Sequence, residues 1–313
     1  MTGGTAARLP KTVHLIPKDN AIKRLCFDDE TKSLRPNLVL VDRQGSVVFE
    51  INELGLKGAA REPSRKLAVV WGDSVVFGVR WGWPCLLDEF APHYQFLNGG
   101  IEADPYDNIL RRAVAFNDAN RVALNIVLPG WHPVDIVLPP ISRRGARGSL
   151  LHWVRKALSA SRQPLPAIPR SDTRHARPEN TNKGLHAGLR AFLDRMPNTV
   201  VVTMPTALNR DIVERDLSPY FNRGNRETVF YFIGDIPYSL AMQRHLFDHI
   251  TERNAIVREV ARASGVRILD LQAEFDTQRA ADFRENFFDV VHLRPGSYRH
   301  AARAVYEGIK DLL

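Results

Sequence analysis

The chain of 313 residues is 44% hydrophobic and 25% charged, ample for the core of one large α/β domain or two smaller ones and unlike a disordered or fibrous chain. Its 43 Lys and Arg against 35 Asp and Glu give a formal net charge of +8, but much of the excess sits in Ser142-Arg143-Arg144-Gly145-Ala146-Arg147 and in residues 162–177. A basic insertion accounts for that as well as a nucleic-acid groove does, and with no reading motif beside it nucleic acid is not an expected partner. Two cysteines, Cys26 and Cys85, suggest neither a disulfide framework nor a metal cluster. Without a signal-like apolar segment at residues 1–11 or a run of about 18 apolar residues for a membrane span, a cytoplasmic protein is expected.

In chain order, residues 1–20 read as a loosely held polar arm. Residues 35–52 carry two β-type runs around a polar, Gly-containing loop and predict a hairpin. This N-terminal part, 1–65, is expected to form an arm and edge ribbon on a main domain spanning 66–313. Residues 67–71 have the length and β-branched content of a buried strand, which stops at the turn-forming Gly72-Asp73-Ser74. Residues 79–90 place Leu86, Leu87 and Phe90 at helical spacing. A strand over 94–97 then ends at Asn98-Gly99-Gly100, a helix covers 106–120, and a strand over 121–128 stops at Pro129-Gly130-Trp131-His132-Pro133. This β-α-β-α-β alternation predicts a mostly parallel sheet with crossover helices, a three-layer α/β/α sandwich.

Residues 135–185 break the rhythm. They are rich in Pro, Arg and Ser around one amphipathic piece at 150–158, and read as either an ordered cap or a disordered excursion. Regular structure resumes with a helix over Asn182–Arg195 and a strand over 199–204. After a second excursion at 205–233 come a long helix over 238–264, a strand over 266–271 and a final helix over 295–312.

The chemistry-bearing residues stand at the two ends of the main domain. Ser74 follows a central strand and opens a helix, the place where open α/β sheets bind ligands. A serine there can have its hydroxyl exposed and its own N–H aimed at a developing oxyanion. Taken alone, Gly-Asp-Ser is also ordinary turn and N-cap chemistry. Near the C-terminus, Asp289-Val290-Val291-His292 sets a carboxylate three residues before a histidine. A serine nucleophile needs an imidazole base, and the imidazole needs a carboxylate to hold its tautomer. Ser74, His292 and Asp289 supply those three types.

Gly72-Asp73-Ser74, Asn98-Gly99-Gly100-Ile101 and Asp289-Val290-Val291-His292-Leu293, in this order, resemble the SGNH, or GDSL-type, hydrolase superfamily over residues 66 to 313. The resemblance implies a flavodoxin-like fold, a Ser74-His292-Asp289 triad and ester or acyl-transfer chemistry without a cofactor or metal. It also implies an oxyanion hole made by the backbone N–H groups of Ser74 and Gly100 and by an Asn side chain after the third strand. Here His132 stands where that Asn is expected, and Pro133 replaces the following Asp. A neutral imidazole N–H can serve as the third donor; otherwise the donor comes from elsewhere or activity is reduced. Asn52-Glu53-Leu54-Gly55-Leu56-Lys57-Gly58 resembles a leader that precedes the catalytic strand in some bacterial GDSL-type proteins.

Trp81, Trp83 and Trp131 lie near these loops and are candidates for the substrate pocket, with core packing the competing role for each. The expected activity is hydrolysis of an O-acyl ester on a carbohydrate or small metabolite. An acyltransferase using the same acyl-enzyme and a catalytically degenerate binding protein on the same fold are the alternatives.

Overall fold

The computed structural model describes residues 11–14, 26–28, 31, 33–41, 45–78, 81–102, 104–131, 182–215, 217, 240–277, 285–287 and 289–313. The basic stretch at 135–185 and the excursion at 205–233 therefore fall largely outside the described residues.

The N-terminal part contains the expected hairpin over residues 38–51, and more besides. β1 (Lys11–His14) runs parallel to β4 (Leu38–Val41), while β2 (Phe27–Asp28) and β3 (Ser33–Leu34) form a small antiparallel pair. β4 pairs antiparallel with β5 (Val47–Ile51), with an irregularity between Leu40 and Val41. Cys26, Leu34, Leu38, Leu40, Phe49 and Ile51 share a small core with Phe77 and Ile101.

β6 (Lys66–Gly72) is buried along all but its first residue. An uninterrupted apolar strand of this kind needs cover on both faces, which is the situation of a central parallel strand. Ser74 opens the single turn α1 (Ser74–Phe77), and a 3₁₀ helix at Pro84–Glu89 leads into β7 (Tyr94–Gly100), parallel to β6. After α2 (Tyr106–Ala119) the chain crosses to the other side of β6 and forms β8 (Leu124–Val127). α3 (Asn182–Arg195), β9 (Thr199–Val202), α4 (Leu240–Ala263) and β10 (Ile268–Leu269) extend the sheet on that side, followed by α5 (Leu271–Thr277) and α6 (Pro295–Ile309). The five parallel strands lie in the order β10-β9-β8-β6-β7.

Leu67, Val69 and Trp71 of β6 pack against Ile109 and Ala113 of α2, Leu189 and Phe192 of α3, and Val257 and Val260 of α4. Ala68 and Val70 point the other way, by strand alternation, and are equally buried. The 3₁₀ helix, α5 and α6 pack together as the second outer layer. The result is the expected three-layer α/β/α architecture with an added N-terminal hairpin.

Two local expectations differ. Among the described residues of 79–90, the helical spacing of Leu86, Leu87 and Phe90 corresponds to the 3₁₀ helix Pro84–Glu89 and not to an α-helix. β10 is shorter than the predicted strand because Asp270 turns the chain into α5, accepting the Ala273 N–H on Oδ1 at 3.1 Å and the Glu274 N–H on its carbonyl at 3.0 Å. None of the described helices is long and apolar enough to cross a membrane.

Candidate active site

In this strand order the chain leaves β6 toward one edge and returns at β8 toward the other. The crevice at their carboxyl ends is the topological switch point, where open α/β sheets hold ligands. The two loops meeting there are Gly72-Asp73-Ser74 and Pro129-Gly130-Trp131. Asp73 caps α1: its Oδ1 accepts the Val75 N–H at 3.0 Å, and its carbonyl accepts those of Val76 at 3.2 Å and Phe77 at 2.9 Å. A helix start leaves its first N–H groups without intrahelical acceptors. Among the described residues, the Ser74 N–H is the one in this turn left without such a partner.

The opposing residues come from the loop before α6. Phe287 and Leu293 bridge its two limbs, and the Val290 carbonyl accepts Thr206 Oγ1 at 2.6 Å and the Ala207 N–H at 2.8 Å, anchoring the loop beyond β9. Asp289 Oδ1 accepts the N–H groups of Val291 at 3.0 Å and His292 at 2.9 Å, a local turn that folds the carboxylate back on its own loop. His292 Nδ1 then lies 2.7 Å from Asp289 Oδ2, and Nε2 lies 2.8 Å from Ser74 Oγ. All three residues are buried. With Nδ1 protonated and its N–H donated to the carboxylate, Nε2 is left to accept from the Ser74 hydroxyl.

Burial alone would push the His292 imidazole below its ordinary range. The Asp289 carboxylate, helped by Asp73 and Glu102, reverses this and holds it above. Burial would likewise raise Asp289, but the His292 ring and the N–H groups of His292 and Val291 keep it below the usual carboxylate range. Each partner thus favours the other's charged form, as an imidazolium formed during proton transfer requires.

Several contributors escaped the sequence. Asp73 is fully buried, and its Oδ2 accepts the Trp131 N–H at 3.1 Å. On the other side of that same peptide unit, Arg253 Nε of α4 donates to the Gly130 carbonyl at 2.8 Å. The Gly130–Trp131 peptide therefore bridges a buried carboxylate and a buried guanidinium. Gly130 has φ of +75°, and a Cβ there would lie 2.8 Å from Asp73 Oδ2, so both conformation and contact demand glycine. Burial pushes Asp73 up to about 6 against the pull of the Val75 and Trp131 N–H groups, and pushes Arg253 down to about 10 against the pull of Asp73. His249 Nε2 lies 3.0 Å from the Trp131 carbonyl, with its imidazole pushed down to about 4 by burial and by Arg253.

Other expected residues fare differently. The Gly100 N–H, expected to point at an oxyanion, instead donates to Asn98 Oδ1 at 2.9 Å. Gly100 closes β7, and a Cβ on it would come within 2.3 Å of Phe77 N, so its small size serves the packing of strand on turn. Trp83 is 0% exposed and belongs to the core instead of to a pocket wall. Trp81 is half-buried against the ribbon core, and Trp131 is buried in the loop beside Asp73. His132 lies outside the described residues.

No protein-family model matches the chain, and neither does any curated protein. Among solved structures it is similar to a lipase/acylhydrolase from Enterococcus faecalis, at 11% identity and a TM-score of 0.48 over 79% of this chain and 96% of that one. It is also similar to the acetyl xylan esterase AlAXEase, at 12% identity and a TM-score of 0.47 over 78% of this chain and 99% of that one. A third is Axe2, an acetylxylan esterase from Geobacillus stearothermophilus, at 16% identity and a TM-score of 0.45 over 78% of this chain and 94% of that one.

Proposed function

We propose that the chain is a serine esterase that cleaves O-acyl esters of a carbohydrate or small metabolite through an acyl-enzyme. The observation that carries this reading is the continuous hydrogen-bond path from Asp289 through His292 to Ser74 Oγ, with links of 2.7 and 2.8 Å.

In this reading Ser74 Oγ attacks the ester carbonyl carbon while His292 Nε2 takes the hydroxyl proton. The resulting imidazolium faces Asp289. The tetrahedral oxyanion is met by the Ser74 N–H, with the His132 side chain as a further donor. Collapse breaks the bond to the leaving alcohol, which takes the proton from His292 and departs, leaving an acyl group on Ser74. Water, deprotonated by the same nitrogen, then attacks the acyl carbon and releases the acid and the free hydroxyl.

Hydrolysis of short-chain p-nitrophenyl esters by the wild type and by Ser74→Ala tests the proposal. Turnover should fall by about a thousandfold or more in the variant. Equal turnover by the two proteins would remove Ser74 from the chemistry. His132→Ala should lower kcat about 100-fold with the fold intact, and an unchanged kcat takes His132 out of the oxyanion hole.

A further inference from the structure

In Leu54-Gly55-Leu56-Lys57-Gly58 a lysine reads as a solvated charge, yet Lys57 is 0% exposed. Its backbone exchanges N–H···O bonds with Asn98 in both directions, each 2.9 Å, so the two residues form a cross-strand pair at the outer side of β7. Both side chains end on the turn that starts at Ser74. Lys57 Nζ donates to the carbonyls of Phe77 at 2.6 Å and Gly78 at 3.2 Å, and lies over the rings of Phe77 and Phe49 at 3.9 and 4.6 Å. Asn98 Nδ2 donates to the carbonyls of Val76 at 2.9 Å, Phe77 at 3.2 Å and Trp81 at 3.1 Å.

A single helical turn has little stability of its own, and its last carbonyls lack intrahelical partners. Where its first residue stands therefore depends on what holds its end. The titratable groups that act on Lys57 are Cys85, Glu102 and Cys26; burial outweighs them and pushes the ammonium down to about 7. The folded chain then holds fewer protons than the unfolded chain between pH 7 and 10.5, so this group's contribution to stability rises with pH across that window. At and below neutral pH, a lysine here works against folding.

We propose that Lys57 is a positioning residue for Ser74: the N-terminal ribbon supplies a buried amine whose bonds to the Phe77 and Gly78 carbonyls set where Ser74 Oγ stands relative to His292 Nε2. The effect on rate rests on Ser74 being the nucleophile; the effect on the turn does not.

Lys57→Met keeps the length of the side chain and removes its donors. Backbone hydrogen exchange over residues 74–78 should rise about tenfold. Labelling of Ser74 by a fluorophosphonate should slow by about 10- to 100-fold. The urea midpoint at neutral pH should hold or rise, and the gain in stability with rising pH should shrink. Unchanged exchange together with an unchanged labelling rate overturns the proposal. So does a slowdown that merely tracks the fraction unfolded. A wild type that takes no label fails the nucleophile reading, and exchange over 74–78 then decides the positioning role alone. If Lys57→Met does not fold, Lys57→Gln is measured the same way: slowed labelling in a folded variant supports the role, and a wild-type rate overturns it.

Discussion

Lys57 and Arg253 are both buried cations that end on backbone carbonyls, and they hold the two loops that shape the crevice. Arg253 secures the Gly130–Trp131 peptide, with Asp73 on the far side of it. Lys57 secures the end of the Ser74 turn with carbonyls and ring faces as its immediate partners. The Arg253 guanidinium, at about 10, stays charged through neutral pH, whereas the Lys57 ammonium, at about 7, titrates there. Balanced charge makes a permanent brace, and unbalanced charge makes a brace whose strength follows pH.

That contrast can be broken at several points. Arg253→Met leaves Asp73 buried opposite a bare Gly130 carbonyl and should cost about 3 kcal/mol in urea unfolding. A loss under about 1 kcal/mol would mean that the peptide bridge carries little weight. Asn98→Ala strips donors from the Val76, Phe77 and Trp81 carbonyls and releases the Gly100 N–H. It should cost about 2 kcal/mol, and because Lys57 still holds Phe77 and Gly78, Ser74 labelling should slow less than in Lys57→Met. The reverse ranking would make Asn98 the main support of the turn. Gly130→Ala brings a methyl onto Asp73 at a left-handed position and should cost about 1–2 kcal/mol, with the Trp131 N–H to Asp73 bond lengthened. A neutral result there would show that the loop shifts freely.

What could be read from the sequence is local. Ser74 follows a strand whose apolar run is unmistakable, and Asp289 precedes His292 by a spacing that a single loop can close. The α/β alternation gave the sheet for the same reason, each strand and helix carrying its own period. The rest depends on partners distant in the chain. Nothing near Lys57 or Arg253 announces burial, because the carbonyls they bond belong to other elements. Gly100 looked like an open donor because sequence does not show that Asn98 folds back to take its N–H. Trp83 looked like a pocket residue on its nearness to Ser74 alone, yet it lies in the core. Leu271, the first residue of α5, was read as the end of a strand because the capping role of Asp270 appears only with its hydrogen bonds.

The most direct measurement is the rate and site of fluorophosphonate labelling across pH. In the proposed chemistry His292 must be neutral to take the Ser74 proton, and Asp289 holds its imidazole above the ordinary 6.5. One adduct is expected, on Ser74, formed at a rate that rises with pH through a midpoint above 6.5 and lost in His292→Ala. No adduct at any pH, or one whose rate ignores both pH and His292, would contradict it.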